Sequence, residues 1–333
     1  MTKEHIYDIV GIGNAMVDVI GKVSDRFLQD RNLQKGTMIL TDAKTAGAIY
    51  ADMIPEREVS GGSVANTVAA MASLGCDCAF IGKVYNDEFG QIFKSDIGAA
   101  GVDFDTPPLT VGPSTARCII LVTPDAERSM FTYLGAAQNL SVADIDENVI
   151  ASSKYLFLEG YLFDRENAKQ AIIKAANIAR QHNRQIVLTL SDHQLVDALR
   201  NDFLDFIENY TDILFANDKE IKQLFQTDDL NTAILQLKSK INMAAITCHD
   251  EGSVVIDHNT HSIIEAEKVE DVVDSSGAGD SFAAGFMYGL INNKDLKTCA
   301  KIGNIVAAEI ITHYGARPKT SLRGLIRKKL PQD

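Results

Sequence analysis

Short apolar runs that alternate with helical patterns constrain this chain more than any other feature. Ala79 to Val84 reads as a buried strand and Asp87 to Gly101 as a helix, and the alternation returns at Lys154. A strand over 155–159 precedes a helix over 164–182, a strand over 185–190, a helix over 195–209 and a strand over 212–216. Strands joined by helix-length crossovers lie parallel, and a parallel sheet has to be covered on both faces. With 333 residues, 46% hydrophobic and 23% charged, the chain suffices for one large α/β domain. The pattern breaks once. Ser114 to Thr123 and Glu127 to Leu134 are β-rich runs joined at Pro124-Asp125-Ala126, a hairpin signal inside the α/β alternation. With strands near Asp18 and over 37–40, the hairpin predicts a small discontinuous lobe from roughly residues 14–60 and 112–136, attached to one domain spanning 1–333. Such a lobe can close over a site and exclude water. Its alternative uses are a sheet extension or a dimerisation surface, so monomer and homodimer both remain open.

Asp274-Ser275-Ser276-Gly277-Ala278-Gly279-Asp280-Ser281-Phe282 opens an apolar helix that runs to about Ile291. Glycines at 277 and 279 let backbone amides approach a ligand, and the first amides of the helix lack helical partners. The positive end of the helix dipole stands behind them, so the turn suits a phosphoryl group. Asp280, in the first turn, is placed to take a proton from an attacking hydroxyl. A loop with an acidic helix cap predicts the same letters.

The bulk numbers exclude several classes. Lys and Arg total 32 against 45 Asp and Glu, a net charge of -13 that disfavours nucleic acid and anionic membranes as partners. No apolar run reaches membrane-spanning length. Residues 1–5 enter a strand pattern without a leader-like apolar segment, which predicts a cytoplasmic protein. Basic residues over 319–329 interleave with Leu322, Leu325 and Ile326 as the solvated face of a last helix. Five cysteines, at 76, 78, 118, 248 and 299, sit in apolar contexts at spacings that fit buried thiols rather than a zinc site.

Further polar residues interrupt apolar surroundings. Ile6 to Gly13 reads as a buried strand ending in a glycine turn, and Asn14 and Asp18 follow in an alternating run, where both point to one face. An amide and a carboxylate there suit paired sugar hydroxyls. A dinucleotide fingerprint fails, because its third glycine would fall at Met16. Gly61-Gly62-Ser63-Val64-Ala65-Asn66 runs into a helix, with Asn66 on its first turn near the amides of Gly62 and Ser63. Asn217-Asp218-Lys219-Glu220 stands at the end of a strand, where ligands of doubly wound sheets bind. Asn217 and Glu220 share a helix-start face that suits a hydrated magnesium ion, or a plain capping box. Thr247 to Gly252 is a turn able to offer a hydroxyl and amides to nucleotide phosphates, and Asn304 lies inside a helix over 301–313.

Taken in order, Gly-Asn-Ala-Met-Val-Asp at 13–18, Gly-Gly-Ser-Val-Ala-Asn at 61–66, Asn-Asp-Lys-Glu at 217–220 and Ser-Gly-Ala-Gly-Asp at 276–280 resemble the PfkB/ribokinase family of carbohydrate and nucleoside kinases. Thr-Pro-Asp-Ala-Glu-Arg at 123–128 and Tyr-Leu-Gly-Ala-Ala at 133–137 look most like its adenosine-kinase-like branch. The resemblance implies a doubly wound, mostly parallel sheet flanked by helices, with a small β-sheet lid, and a reaction that moves the γ-phosphoryl group of ATP to a primary hydroxyl. It implies Asp280 as the base, Gly277, Ala278 and Gly279 as the anion hole, and Asn14, Asp18, Gly62 and Asn66 as the sugar site. Asn217 and Glu220 would organise Mg2+ and the ATP phosphates, Thr247 and Gly252 would flank the nucleotide, and Asn304 would lie near its base. Asp274 begins a loop that in some members carries a monovalent cation such as K+; Ser275 there replaces the usual Thr but keeps the hydroxyl. Two departures stand out: His249 replaces a usual glycine, and Tyr85 replaces a frequent one before Asp87. The acceptor is a nucleoside, or a free sugar if the pocket is polar. Met16, Leu40, Phe131, Tyr161 and Phe163 are the candidates for an apolar slot around a base. A non-catalytic sugar or nucleotide sensor is the reading from another class.

Overall fold

A computed structural model describes residues 6–330; residues 1–5, which carried the expectation about a leader, lie outside the described residues. The strands, in chain order, are β1 (Tyr7–Ile12), β2 (Met16–Lys22), β3 (Met38–Leu40), β4 (Arg57–Gly61), β5 (Cys78–Ile81), β6 (Val102–Asp103) and β7 (Ala116–Val122). They continue with β8 (Arg128–Tyr133), β9 (Ser153–Glu159), β10 (Gln185–Thr189), β11 (Ile213–Asn217), β12 (Met243–Thr247), β13 (Ser253–Asp257) and β14 (Thr260–Ile264). Nine of them form one sheet in the order β14-β13-β12-β11-β10-β9-β1-β5-β6, parallel except at β13 and β14. The other five form a second sheet in the order β3-β8-β7-β2-β4.

The large sheet is buried on both faces, which is why its strands read as continuous apolar runs. Phe80, Phe157 and Phe215 face the helices Ser63–Ser73, Ala278–Ile291 and Leu296–Ile310. Their neighbours Ile81, Leu156 and Leu214 face the helices Glu166–Gln181 and Arg200–Tyr210 on the other side. The chain builds outward from β1 through β5 and β6, then returns at β9 and builds the opposite way. The order therefore reverses between β1 and β9, at whose carboxyl ends ligands of such sheets bind.

Three local expectations change. The helix over 195–209 is two helices, His193–Ala198 and Arg200–Tyr210, with Leu199 between them at φ -118 and ψ 27. The helix over 301–313 runs Leu296–Ile310 because Asp295 caps it, accepting from the amides of Lys297 and Thr298. The run through Asn14 is not extended throughout: β2 starts at Met16, and Asn14 lies in the turn from β1. The five cysteines are free and buried. Leu322 and Ile326 bury one face of the helix Leu322–Lys329, leaving its basic residues outside. Among the described residues no helix is long and apolar enough to cross a membrane.

Candidate active site

Two helix starts meet at the reversal point. Gly62 precedes the helix Ser63–Ser73 at φ +109, and a Cβ there would lie 2.1 Å from the carbonyl oxygen of Asn14, so only glycine allows this approach. Gly277 precedes the helix Ala278–Ile291 at φ +74, with a Cβ at 277 only 2.6 Å from that of Ala316. The two helices pack against each other. Asp280, on the first turn of the second, receives the hydroxyl of Ser63 at 2.7 Å on Oδ1 and the Asn66 amide at 3.1 Å on Oδ2. Burial pushes the Asp280 carboxyl up to about 6, opposed by those two hydrogen bonds and by Arg317. It is still ionised at neutral pH, where a base of this strength accepts a proton readily. Of the amides expected to form an anion hole, that of Ala278 donates to the Ser275 carbonyl at 3.2 Å.

Asn14, Asp18, Gly62, Asn66, Gly277 and Asp280 line one cavity of about 960 Å³ between the two sheets. The sequence reading missed four residues that organise it. Glu159, fully buried at the end of β9, accepts from the Asn14 side-chain amide at 2.7 Å and from the Val64 amide at 3.1 Å. Burial pushes its carboxyl up to about 7 against those bonds. Ser63 is the second. Arg317 is the third: its buried guanidinium donates to the carbonyl of Ser60 at 2.6 Å and of Ala65 at 3.2 Å. From there it opposes the rise of Asp18, which burial lifts to about 7 and which Asp280 and Asp274 raise further. The fourth, Arg128 on β8, pairs with Asp274 at 2.5 Å. No local spacing announces these contacts; those of Glu159 span 145 and 95 residues.

Register decides what faces the cavity. Asp18 pairs with Cys118, and Cys118 with Thr132; Ile20 pairs with Ile120, and Ile120 with Met130. With Met16 and Val122 these side chains share one face of the second sheet, turned toward Asp280. The opposite face, with Val19, Ile119, Leu121 and Phe131, packs into the main core with Leu28 and Ile49. Phe131 is therefore removed from the expected base slot. So is Phe163, which packs on Phe203 with ring centroids 4.6 Å apart. Met16, Leu40 and Tyr161 line the cavity as expected.

The residues expected to border a nucleotide do not line that cavity. Asn217 and Glu220 form a capping box, in which the Glu220 amide donates to Asn217 Oδ1 at 2.9 Å and the Asn217 backbone amide donates back to Glu220 Oε2 at 2.9 Å; Asn217 Nδ2 adds a bond to Glu220 Oε1 at 2.7 Å. Burial pushes Glu220 up to about 7, the Asn217 amide opposes it, and Asp192, Asp218 and Asp280 raise it further. Thr247 ends β12 and its hydroxyl points to the Ala216 carbonyl at 3.5 Å. Gly252 sits at φ +99, with a Cβ there 2.1 Å from the Ile264 carbonyl oxygen; Asn304 donates to the Glu265 carbonyl at 2.8 Å. His249 stands at φ 52 with its ring 3.3 Å from Asp218.

Comparison with known proteins agrees with this fold. The profile of the pfkB family carbohydrate kinase matches residues 56–322. A crystal structure of a probable sugar kinase from Rhizobium etli CFN 42 superposes with a TM-score of 0.90 at 41% identity, covering 98% of this chain and 99% of that one. The adenosine kinase from Sinorhizobium meliloti superposes with a TM-score of 0.89 at 44% identity, covering 97% and 99%. The adenosine kinase of Saccharomyces cerevisiae is 29% identical over 333 residues, 92% of this chain and 95% of that protein. With the fold, the order of its motifs and the extent of these matches in agreement, the chain belongs to the pfkB family of carbohydrate kinases.

Proposed function

We propose that this kinase transfers the γ-phosphoryl group of ATP to the primary hydroxyl of a nucleoside, with adenosine as the leading acceptor. One observation carries the reading: the face of the second sheet that its own helices leave uncovered carries an apolar patch of Met16, Ile20, Ile120, Val122 and Met130 beside Asp18, and it is turned toward the base candidate Asp280. A free sugar has little to place against Met16, Ile20, Ile120 and Met130. A flat purine covers such a face, and apolar contact of this kind is worth about 25 cal/mol per Å². Asn14 and Asp18 take the ribose hydroxyls, and Gly62 lets the sugar close on the backbone. Asn66 steadies Asp280. The adenosine kinases among the similar proteins support the same acceptor.

Asp280 takes the proton of the primary hydroxyl as its oxygen bonds to the γ-phosphorus, and the bond from that phosphorus to the ADP oxygen breaks, its electron pair leaving on ADP. The helix start at Gly277, Ala278 and Gly279 stabilises the charge spread over the transferred group. Gly252 and Asn304 meet at Ile264 and Glu265, Thr247 lies across β13 from them, and the three border the nucleotide. The acid-rich surroundings of Glu220, with Asp192 and Asp218 near enough to raise its pKa, fit a divalent cation held through water. Magnesium would supply charge neutralisation at the ATP phosphates, with Glu220 holding it and Asn217 steadying Glu220. The second sheet serves as a lid that excludes water during transfer.

An ATP-consumption panel with adenosine, other nucleosides and common free sugars tests this reading. The highest kcat/KM is expected with adenosine. Activity confined to free sugars overturns the nucleoside assignment, and silence across the panel favours a sensor.

A further inference from the structure

Asp274 does not fit the monovalent cation that the family resemblance places beside it. Its carboxylate is 3% exposed and already surrounded by donors. Oδ1 accepts the Ser276 amide at 2.6 Å and lies 2.5 Å from Nη1 of Arg128, and Oδ2 accepts the Gly315 amide at 3.0 Å. The same Nη1 donates to the Ser276 hydroxyl at 2.5 Å. A bare cation needs a ring of oxygen acceptors. Here one positive charge is already present as a guanidinium, ion-paired with the carboxylate at a distance that supplies the counter-charge directly.

We infer that Arg128 takes the place of the monovalent cation at Asp274, so that the protein neither needs nor binds K+ at this loop. Two features make the substitution more than a surface ion pair. The pair is nearly dry, with side-chain exposures of 16% for Arg128 and 3% for Asp274, so removing one partner leaves an uncompensated buried charge. The partners also come from different parts of the fold: Arg128 comes from β8 of the small sheet, whereas Asp274 lies in the loop that leads into the helix whose first turn carries Asp280. The charge that settles the Gly277 turn thus arrives with the lid. A diffusible ion would settle the turn whether the lid is open or closed; Arg128 links the two. The inference concerns the same site as the proposed reaction, but its test does not depend on the acceptor.

Thermal melting and, where an acceptor is active, kcat are measured in KCl and in choline chloride at equal ionic strength. Wild-type protein is expected to melt at the same temperature in both salts and to turn over within about twofold, the scatter that screening alone leaves at fixed ionic strength. Arg128→Ala is expected to melt about 2 °C higher in KCl than in choline, as linked binding to the native state requires, and to recover turnover with K+. Arg128→Lys keeps a cation and should show no K+ response. Arg128→Gln replaces Arg128→Ala if the latter does not fold. The double variant Arg128→Ala/Asp274→Asn, which lacks both charges, should lose the K+ response. A wild-type protein stabilised or activated by K+ overturns the inference, and so does a neutral Arg128 variant indifferent to K+. Silence with every acceptor alongside the expected melting pattern sinks the nucleoside-kinase reading and leaves this inference standing.

Discussion

The proposed acceptor half and the proposed nucleotide half of the site are built differently. On the acceptor side, polar groups from distant segments meet around a shared space: Ser63 and Asn66 bond Asp280 across 217 and 214 residues, and Glu159 holds Asn14 across 145. On the proposed nucleotide side, Asn217 and Glu220 bond within one helix start, while Asn304 and Thr247 bond backbone carbonyls, those of Glu265 and Ala216. The proposed acceptor half is thus a set of side chains assembled from distant segments, whose removal strikes chemistry, whereas the proposed nucleotide half rests on a helix cap and on bonds to backbone carbonyls, whose removal strikes the fit of ATP.

Substitutions on the two sides test that difference. Asp280→Asn should give the largest effect: it keeps the acceptor atom for Ser63 but removes the base, so kcat should fall by ~10²–10⁴ with Tm unchanged. Kinetics and a melting curve on the same preparation decide it, since wild-type-like turnover refutes the role. Met130→Gln places an amide on the apolar face of the lid. KM for adenosine should rise about tenfold while kcat holds, as expected for lost apolar contact made equally in ground and transition states.

Arg317→Met tests the electrostatics of the acceptor side. Asp280, pushed up to about 6 by burial, must be ionised to act, so kcat/KM should be full above that pH and fall as protons return below it. Arg317 holds both Asp18 and Asp280 down, so its loss should move the acidic limb of the profile to higher pH. An unmoved limb would remove Arg317 from the site. Asn217→Ala should be mildest, costing about 1 kcal/mol of stability as a lost helix cap. It should raise KM for ATP without touching KM for the acceptor; a change confined to the acceptor would erase the division between the halves.

Much of this was legible in the sequence, for a physical reason. Glycines at 62 and 277 are forced by close approach and positive φ, and the polar residues beside them interrupt apolar patterns, so each motif shows locally. Strands β9 to β12 announced themselves as apolar runs because both faces of the sheet are covered. What stayed hidden depends on partners far along the chain. Glu159 reads as an ordinary strand-ending acid until Asn14 and Val64 fold onto it, and Arg317 reads as a surface cation near the basic tail. Arg128 passed as one letter of a hairpin. Phe131 and Phe163 misled because aromatic character gives no facing: strand register turned one into the core and helix packing the other. The strand break at Asn14 was missed for a related reason, since alternation of residue type continues through a turn.

The central claim is a meeting of three things in one cavity: a base, an acceptor hydroxyl and an apolar wall. A crystal structure with adenosine and a non-hydrolysable ATP analogue tests it most directly. The account predicts the primary hydroxyl within about 2.6–3.2 Å of an Asp280 carboxylate oxygen, with the purine lying against Met16, Ile120 and Met130. A hydroxyl turned away from Asp280, or a purine bound outside the space beneath the second sheet, would contradict it.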